Sequence, residues 1–108
     1  MIHICICDDS DAMRDELCGL IQELCQKHSI AASVSCCSSG EELLFDPDDK
    51  NRTTDIFFLD ILMKKLNGIE TAAKLRAINP TAQIIFLTVS KEHVFEALDV
   101  MPLHYLLK

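Results

Sequence analysis

Apolar residues fall along this chain in two alternating rhythms. "IHICIC" (2–7) is a short apolar run that ends on Asp8 and Asp9, as a strand buried on both faces would. From Ser10 the period changes. Met13, Leu17, Leu20, Ile21 and Leu24 recur at helical spacing, with Asp11, Asp15 and Glu16 early and Lys27 and His28 late, as the helix dipole favours. "ASVSCC" (32–37) returns to strand character. Ser39 and Glu42 then have the S-x-x-E form of a capping box, opening a short helix through Leu43, Leu44 and Phe45. The polar stretch "DPDDKNRTTD" (46–55) reads as a loop and "IFFLD" (56–60) as a third strand. Gly68 opens a helix with Ile69, Ala72, Ala73 and Ile78 inward, stopped by Asn79-Pro80. "QIIFLT" (83–88) is a fourth strand. Val94, Ala97, Leu98 and Met101 mark another helix with Ser90 as its cap, and "LHYLLK" (103–108) is a fifth strand.

Strands alternating with helices predict βαβ units and a parallel sheet with right-handed crossovers, an α/β fold of five strands and four helices. A fifth helix is expected over the last strands, and the sequence stops at Lys108 without one. The chain therefore reads as one domain, 1–108, truncated before its last helix. The apolar sheet surface left bare is expected to need further residues or a partner.

Composition narrows the function classes. The 108 residues suffice for one domain and not for two, and 49% hydrophobic with 25% charged residues describes a globular chain rather than a disordered one. Ten basic against 17 acidic residues give a net charge of −7, which argues against this segment gripping nucleic acid by itself and suits a site for a cation. No apolar run approaches the ~20 residues of a membrane span. "MIHICICDDS" has no basic leader, so a signal peptide is not expected. Six cysteines, at 5, 7, 18, 25, 36 and 37, include no C-x-x-C, and are expected to be reduced, mostly buried small hydrophobes of a cytoplasmic protein. Cys36 and Cys37 are neighbours in a strand pattern, so their side chains point to opposite faces and a vicinal disulfide is not expected. The four histidines (3, 28, 93, 104) have no metal-ligand spacing.

The candidate chemistry lies at the strand ends. The first strand ends in Asp8-Asp9, the third in Asp60, the fourth in Thr88 and the fifth in Lys108. In an open α/β sheet, ligands sit outside the carboxyl ends of the strands. Three carboxylates brought within a few Å repel one another unless a cation joins them, and a hard, oxygen-preferring ion such as Mg²⁺ fits. The Thr88 hydroxyl and the Lys108 ammonium are donors for an anion. Acids, ion and donors together describe a site that accepts a phosphoryl group on a carboxylate. Taken singly, each residue also has a plainer reading: Asp8-Asp9 as a helix cap, Asp60 as a turn acid, Thr88 as a β-branched strand residue, Lys108 as a solvated terminal lysine.

With "ICDDS", "FLDI-M----NGIE-A--LR--NP", "IIFLTVS" and "YLLK" in this order, the chain resembles the receiver domain of bacterial two-component response regulators, most closely the LytTR (LytR/AgrA-type) group. The resemblance spans the whole chain. It implies a flavodoxin-like sandwich with strand order 2-1-3-4-5. It implies Asp60 as phosphoacceptor, Asp9 as a direct Mg²⁺ ligand, Asp8 holding the ion through water, and the Leu62 carbonyl as a third protein ligand. Lys108 would pair with the phosphoryl oxygens, Thr88 would report the phosphorylated state, and Tyr105 would be the aromatic switch, although it could also be an ordinary sheet aromatic. Gly68 matches the glycine that opens the third helix. Lys64 stands where the family often has proline, and Val89 where it usually has a very small residue, which bears on the speed of phosphorylation and hydrolysis. The implied partners are a sensor histidine kinase and, on activation, a second copy. DNA would be reached only through an output domain absent from this segment, and transcription would be the output. The domain would catalyse its own phosphotransfer and dephosphorylation without being a metabolic enzyme. Two rivals are a phosphorylation-independent interaction or thiol-redox module on the same fold, and a haloacid-dehalogenase-like phosphatase. The second is disfavoured because such enzymes carry an acid two residues after the nucleophile, where this chain has Leu62.

Overall fold

Alternation of side chains about the first strand organises the molecule into two cores. The computed structural model describes residues 1–88 and 104–107, with Thr88 and the last four through their backbone. The elements run β1 (Ile2–Cys7), α1 (Asp11–Lys27), β2 (Ala32–Cys37), α2 (Gly40–Leu44), β3 (Ile56–Asp60), α3 (Gly68–Ile78), β4 (Gln83–Thr88) and β5 (His104–Leu107). All neighbouring strands pair in parallel, in the order β2-β1-β3-β4-β5. This is the order expected from the sequence. The expected helix over Val94 to Met101, its Ser90 cap, Val89 and Lys108 lie outside the described residues.

On one face Cys5, Cys7, Cys37, Phe57, Leu59, Ile84 and Phe86 pack against α2 and α3 through Leu43, Ile69, Ala72 and Leu75. On the other, Ile4, Ile6, Val34, Ile56 and Phe58 meet Leu17, Cys18, Ile21 and Cys25 of α1. Neighbours in sequence thus feed opposite cores, the period-2 consequence of strand geometry. Phe57 and Phe86 are fully buried, each worth roughly 1.5–3 kcal/mol relative to exposure.

Two details of the expected helices are corrected. In α1 the inward face is Leu17, Cys18, Ile21 and Cys25, while Leu20 and Leu24 are about half exposed. The two cysteines take inner positions, which rotates the buried stripe away from the leucines. In α3, Leu75 is buried and Ala73 exposed, because Ala72 and Leu75 lie one turn apart on the sheet side. The cysteines also divide: Cys5, Cys7 and Cys37 are buried as expected, but Cys36 is exposed.

The 46–55 stretch is more ordered than a polar loop. Asp46 accepts the N–H groups of Lys50 (2.9 Å) and Asn51 (2.7 Å) and so caps a 3-10 turn, Lys50–Thr53. Asn51 is buried, and its Nδ2 donates to the Leu43 carbonyl at 2.8 Å. Asn79 closes the same end of the molecule: its Nδ2 donates to the carbonyls of Asn51 and Thr54, both at 2.8 Å, and its Oδ1 accepts the Ala82 N–H at 3.1 Å. No helix among the described residues is long and apolar enough to cross a membrane.

Candidate functional site

β1 and β3 lie side by side with Cys7 opposite Leu59, so the residues that follow leave the sheet together at its carboxyl edge. Asp8 and Asp60 are almost wholly buried there and Asp9 is exposed. One carboxylate oxygen from each of the three lies within 4.8 Å of the others. The structure thus gathers residues 8, 9 and 60, as expected from the strand ends.

The two buried acids are positioned by hydrogen bonds. Asp8 continues the β1–β2 ladder by donating its N–H to the Cys37 carbonyl (3.2 Å), and its Oδ1 accepts the Ser10 N–H at 2.9 Å. Ser10 in turn caps α1, its hydroxyl accepting the Met13 N–H. Arg14, on the first turn of α1, donates from Nη1 to the Asp8 carbonyl at 2.9 Å. The Asp11 carboxylate bonds to the same guanidinium and raises its already high pKa, so the cation is permanent. Nothing in the sequence pattern singled out Arg14, whose role depends on where α1 starts.

Asp60 ends β3 opposite Leu87, and the next residue, Ile61, donates its N–H to the Leu87 carbonyl at 3.0 Å. The Asp60 Oδ1 accepts the Leu62 N–H at 3.3 Å. The chain then turns through residues 61–67, with Lys65 in the left-handed region (φ 57°). The Gly68 N–H returns to the Ile61 carbonyl at 3.0 Å, and Asn67 with Glu70 makes a reciprocal capping box at the start of α3. α2 secures the turn from outside, where Glu41 Oε1 accepts the Leu66 N–H at 3.0 Å. Glu41 was missed by sequence reading, because the bond spans 25 residues and has no local signature.

Beside the acids opens a groove of about 250 Å³ lined by Asp9, Ser38, Ser39, Glu41, Met63, Lys64 and Lys65. Both lysines are exposed. Lys64 therefore borders the acid cluster, as its place in the sequence suggested. A larger cavity, about 410 Å³, lies at the opposite end of the strands between Asp55, Asn79 and Gln83, and none of the three acids lines it. Backbone pairing sets Thr88 opposite Leu107 at the carboxyl edge of β4 and β5, and Tyr105 opposite Phe86 two residues earlier along the ladder. The side chains of Thr88 and Tyr105, like all of Lys108, lie outside the described residues.

Three carboxylates, two of them buried, make a hard all-oxygen donor set. Their mutual repulsion is relieved by a small divalent cation, so these residues fit Mg²⁺ better than a softer ion that favours sulfur or imidazole.

A family model for the response regulator receiver domain matches residues 4–108. Among curated proteins, the chain is 28% identical over 107 residues to the sensory transduction protein LytT of Enterococcus faecalis, covering 99% of this chain and 42% of that protein. It is 35% identical over 109 residues to the LytT of Oceanobacillus iheyensis, again covering 99% of this chain and 42% of the relative. The chain thus spans less than half the length of either. Among solved structures, the response regulator protein TrrA from Thermotoga maritima, in complex with Mg²⁺-BeF, aligns with a TM-score of 0.81 at 26% identity, over 100% of this chain and 87% of that one. Strand order, the site at the carboxyl edge and the match over residues 4–108 agree, and the chain belongs to the response regulator receiver domain family.

Proposed function

We propose that this domain is the phosphoryl-accepting switch of a two-component system, with Asp60 as acceptor and a sensor histidine kinase as donor. The observation that carries this reading is the meeting of Asp8, Asp9 and Asp60 oxygens within 4.8 Å at the strand ends. In the reaction an Asp60 oxygen attacks the phosphorus of a phosphohistidine. The new P–O bond forms as the P–N bond breaks, and the electron pair leaves with the imidazole. Asp8, Asp9, Asp60 and the Leu62 carbonyl are the residues that would hold Mg²⁺. When bound, the ion neutralises charge shared between the acids and the incoming phosphoryl oxygens. The Leu62 N–H, already on Asp60 Oδ1, fixes the carboxylate rotamer. Burial of Asp60 keeps the acyl phosphate away from bulk water.

By position in the family, Lys108 pairs with the phosphoryl oxygens, Thr88 hydrogen-bonds to them, and Tyr105 follows Thr88 in a switch of the β4–β5 side. A phosphoryl group adds up to about two negative charges, enough to bias such an element between two packings. Activation then joins two copies and governs transcription through an output domain of a longer, cytoplasmic protein, which is where DNA is met. The domain is not a metabolic enzyme on this reading, because its chemistry is its own phosphorylation and dephosphorylation.

Intact mass after incubation with acetyl phosphate and Mg²⁺ tests the reading. A single phosphoryl adduct is expected, absent from Asp60→Asn and absent when the divalent ion is chelated. An adduct that survives in Asp60→Asn, or none on the unsubstituted chain, overturns it.

A further inference from the structure

The turn between β1 and α1 is closed into a ring by Arg14. Asp8 Oδ1 accepts the Ser10 N–H (2.9 Å), the Ser10 carbonyl accepts the Arg14 N–H (3.0 Å), and Arg14 Nη1 donates back to the Asp8 carbonyl (2.9 Å). The Asp11 carboxylate holds the other guanidinium arm, and the Arg14 side chain is only 18% exposed. The Asp8 N–H is meanwhile fixed on the Cys37 carbonyl of β2. Both ends of the Asp8 backbone are thus held, one by the sheet and the other by α1.

The ring matters most for Asp9. Asp8 and Asp60 each have a backbone N–H on their carboxylate, from Ser10 and Leu62, whereas Asp9 is exposed and has no such bond among the described residues. The direction of its side chain therefore depends on the peptide before it. That unit is planar, so the oxygen held by Arg14 and the Asp9 α-carbon move together. We propose that Arg14 is a positioning residue for the divalent-ion site: by gripping the Asp8 carbonyl it keeps the Asp9 carboxylate turned toward Asp8 and Asp60. This role rests on the reading of those acids as a cation site, and adds to it a residue that acts through the backbone of its ligands.

A plainer role for Arg14 has the opposite sign. A fixed positive charge beside a cation site repels the ion, so Arg14 acting by charge alone would weaken Mg²⁺ binding, and its removal would strengthen it. As the holder of the Asp8–Asp9 peptide it strengthens binding, because the ion need not first order a loose ligand. Losing a group that orients metal ligands typically costs about 10–100-fold in affinity. Shape matters as well as charge. A guanidinium spans the Asp8 carbonyl and the Asp11 carboxylate at once, whereas a lysine offers a point charge on a flexible stem.

The test is titration of the full chain with Mg²⁺, followed by amide NMR shifts, beside urea unfolding without the ion. Arg14→Ala should weaken Mg²⁺ binding about tenfold or more, and Arg14→Lys, which keeps the charge, should recover only part of the loss. In an Asp9→Asn background the same Arg14→Ala change should cost less than about twofold, because the ligand it positions is gone. Unchanged or tighter Mg²⁺ binding in Arg14→Ala, full affinity in Arg14→Lys, or an undiminished loss in the Asp9→Asn background overturns the positioning role and leaves the cation site standing. A loss of stability with Mg²⁺ affinity unchanged overturns it in the same way. If Arg14→Ala does not fold, Arg14→Lys decides. No Mg²⁺ binding by the unsubstituted chain overturns the site and the positioning role together.

Discussion

Gly68 touches the peptide of Asp60: a β-carbon placed on the glycine would sit 2.2 Å from the Asp60 carbonyl oxygen and 2.9 Å from the Ile61 α-carbon. The first residue of α3 is therefore pressed onto the end of the strand that carries the acceptor. Both contacts are backbone, which cannot swing aside as a flexible side chain would. Gly68→Ala should force α3 away from β3 and destabilise the fold by about 1–3 kcal/mol, the usual cost of overpacking. Urea unfolding measures it. The same variant should take up phosphoryl from acetyl phosphate more slowly, because the turn that orients Asp60 moves with α3.

The three acids predict a change of sign with the divalent ion. Without it, Asp9→Asn removes one of three mutually repelling charges and should leave stability unchanged or slightly higher. With Mg²⁺ at a hundred times its dissociation constant, the unsubstituted chain should gain about 2.7 kcal/mol. Asp9→Asn should lose most of that gain. Paired denaturation curves with and without Mg²⁺ check both halves. An equal Mg²⁺ effect on the two proteins would mean that the ion binds elsewhere.

At the far end of the strands, Asn79 tests a purely structural role. Its amide satisfies two buried carbonyls of the 51–54 turn and one N–H just before β4. Asn79→Ala leaves these groups without their partner, at about 1–3 kcal/mol for each one that water cannot reach. Stability should fall by at least that much. Magnesium affinity, measured calorimetrically, should change less than about twofold, since neither end of the sheet shares a residue with the other.

Cys36 predicts a pH dependence. Although exposed, it is partly stripped of water by α1. That desolvation first, and the neighbouring Cys18 thiol second, push its thiol up to about 11 from the usual 9.0. Only the thiolate is nucleophilic. Alkylation of Cys36 by iodoacetamide should therefore keep rising about tenfold per pH unit past 9, where a cysteine at its ordinary value levels off. Cys18→Ala should move the plateau to lower pH. Mass-spectrometric rates from pH 7 to 10 measure the continued rise, and rates extended past pH 11 locate the plateau.

The patterning of the sequence was enough for the sheet and for the meeting of Asp8, Asp9 and Asp60, because short apolar runs bounded by acids leave little freedom in where a buried strand stops. It misassigned Leu20, Leu24 and Ala73. In a helix covered on one side, several rotations of the stripe bury similar area, and the choice fell to how Cys18 and Cys25 fit against Ile6 and Val34. The long-range polar contacts, Glu41 to Leu66, Arg14 to the Asp8 carbonyl and Asn79 to Asn51, join residues whose proximity only the folded chain creates. Asp46 left a partial local signal, since an acid four residues ahead of Lys50 could have been read as a cap for a tight turn.

The pairing of Cys7 with Leu59 has one more consequence. If β3 slipped past β1 by a single residue, about 3.3 Å, every β3 side chain would swap faces and Asp60 would be carried away from Asp8 and Asp9. On the proposed function, ion occupancy would thus be an audit of strand alignment. If the acids hold a divalent ion as proposed, a preparation saturated with that ion but binding less than one per chain should contain misaligned molecules, whatever its helical content says.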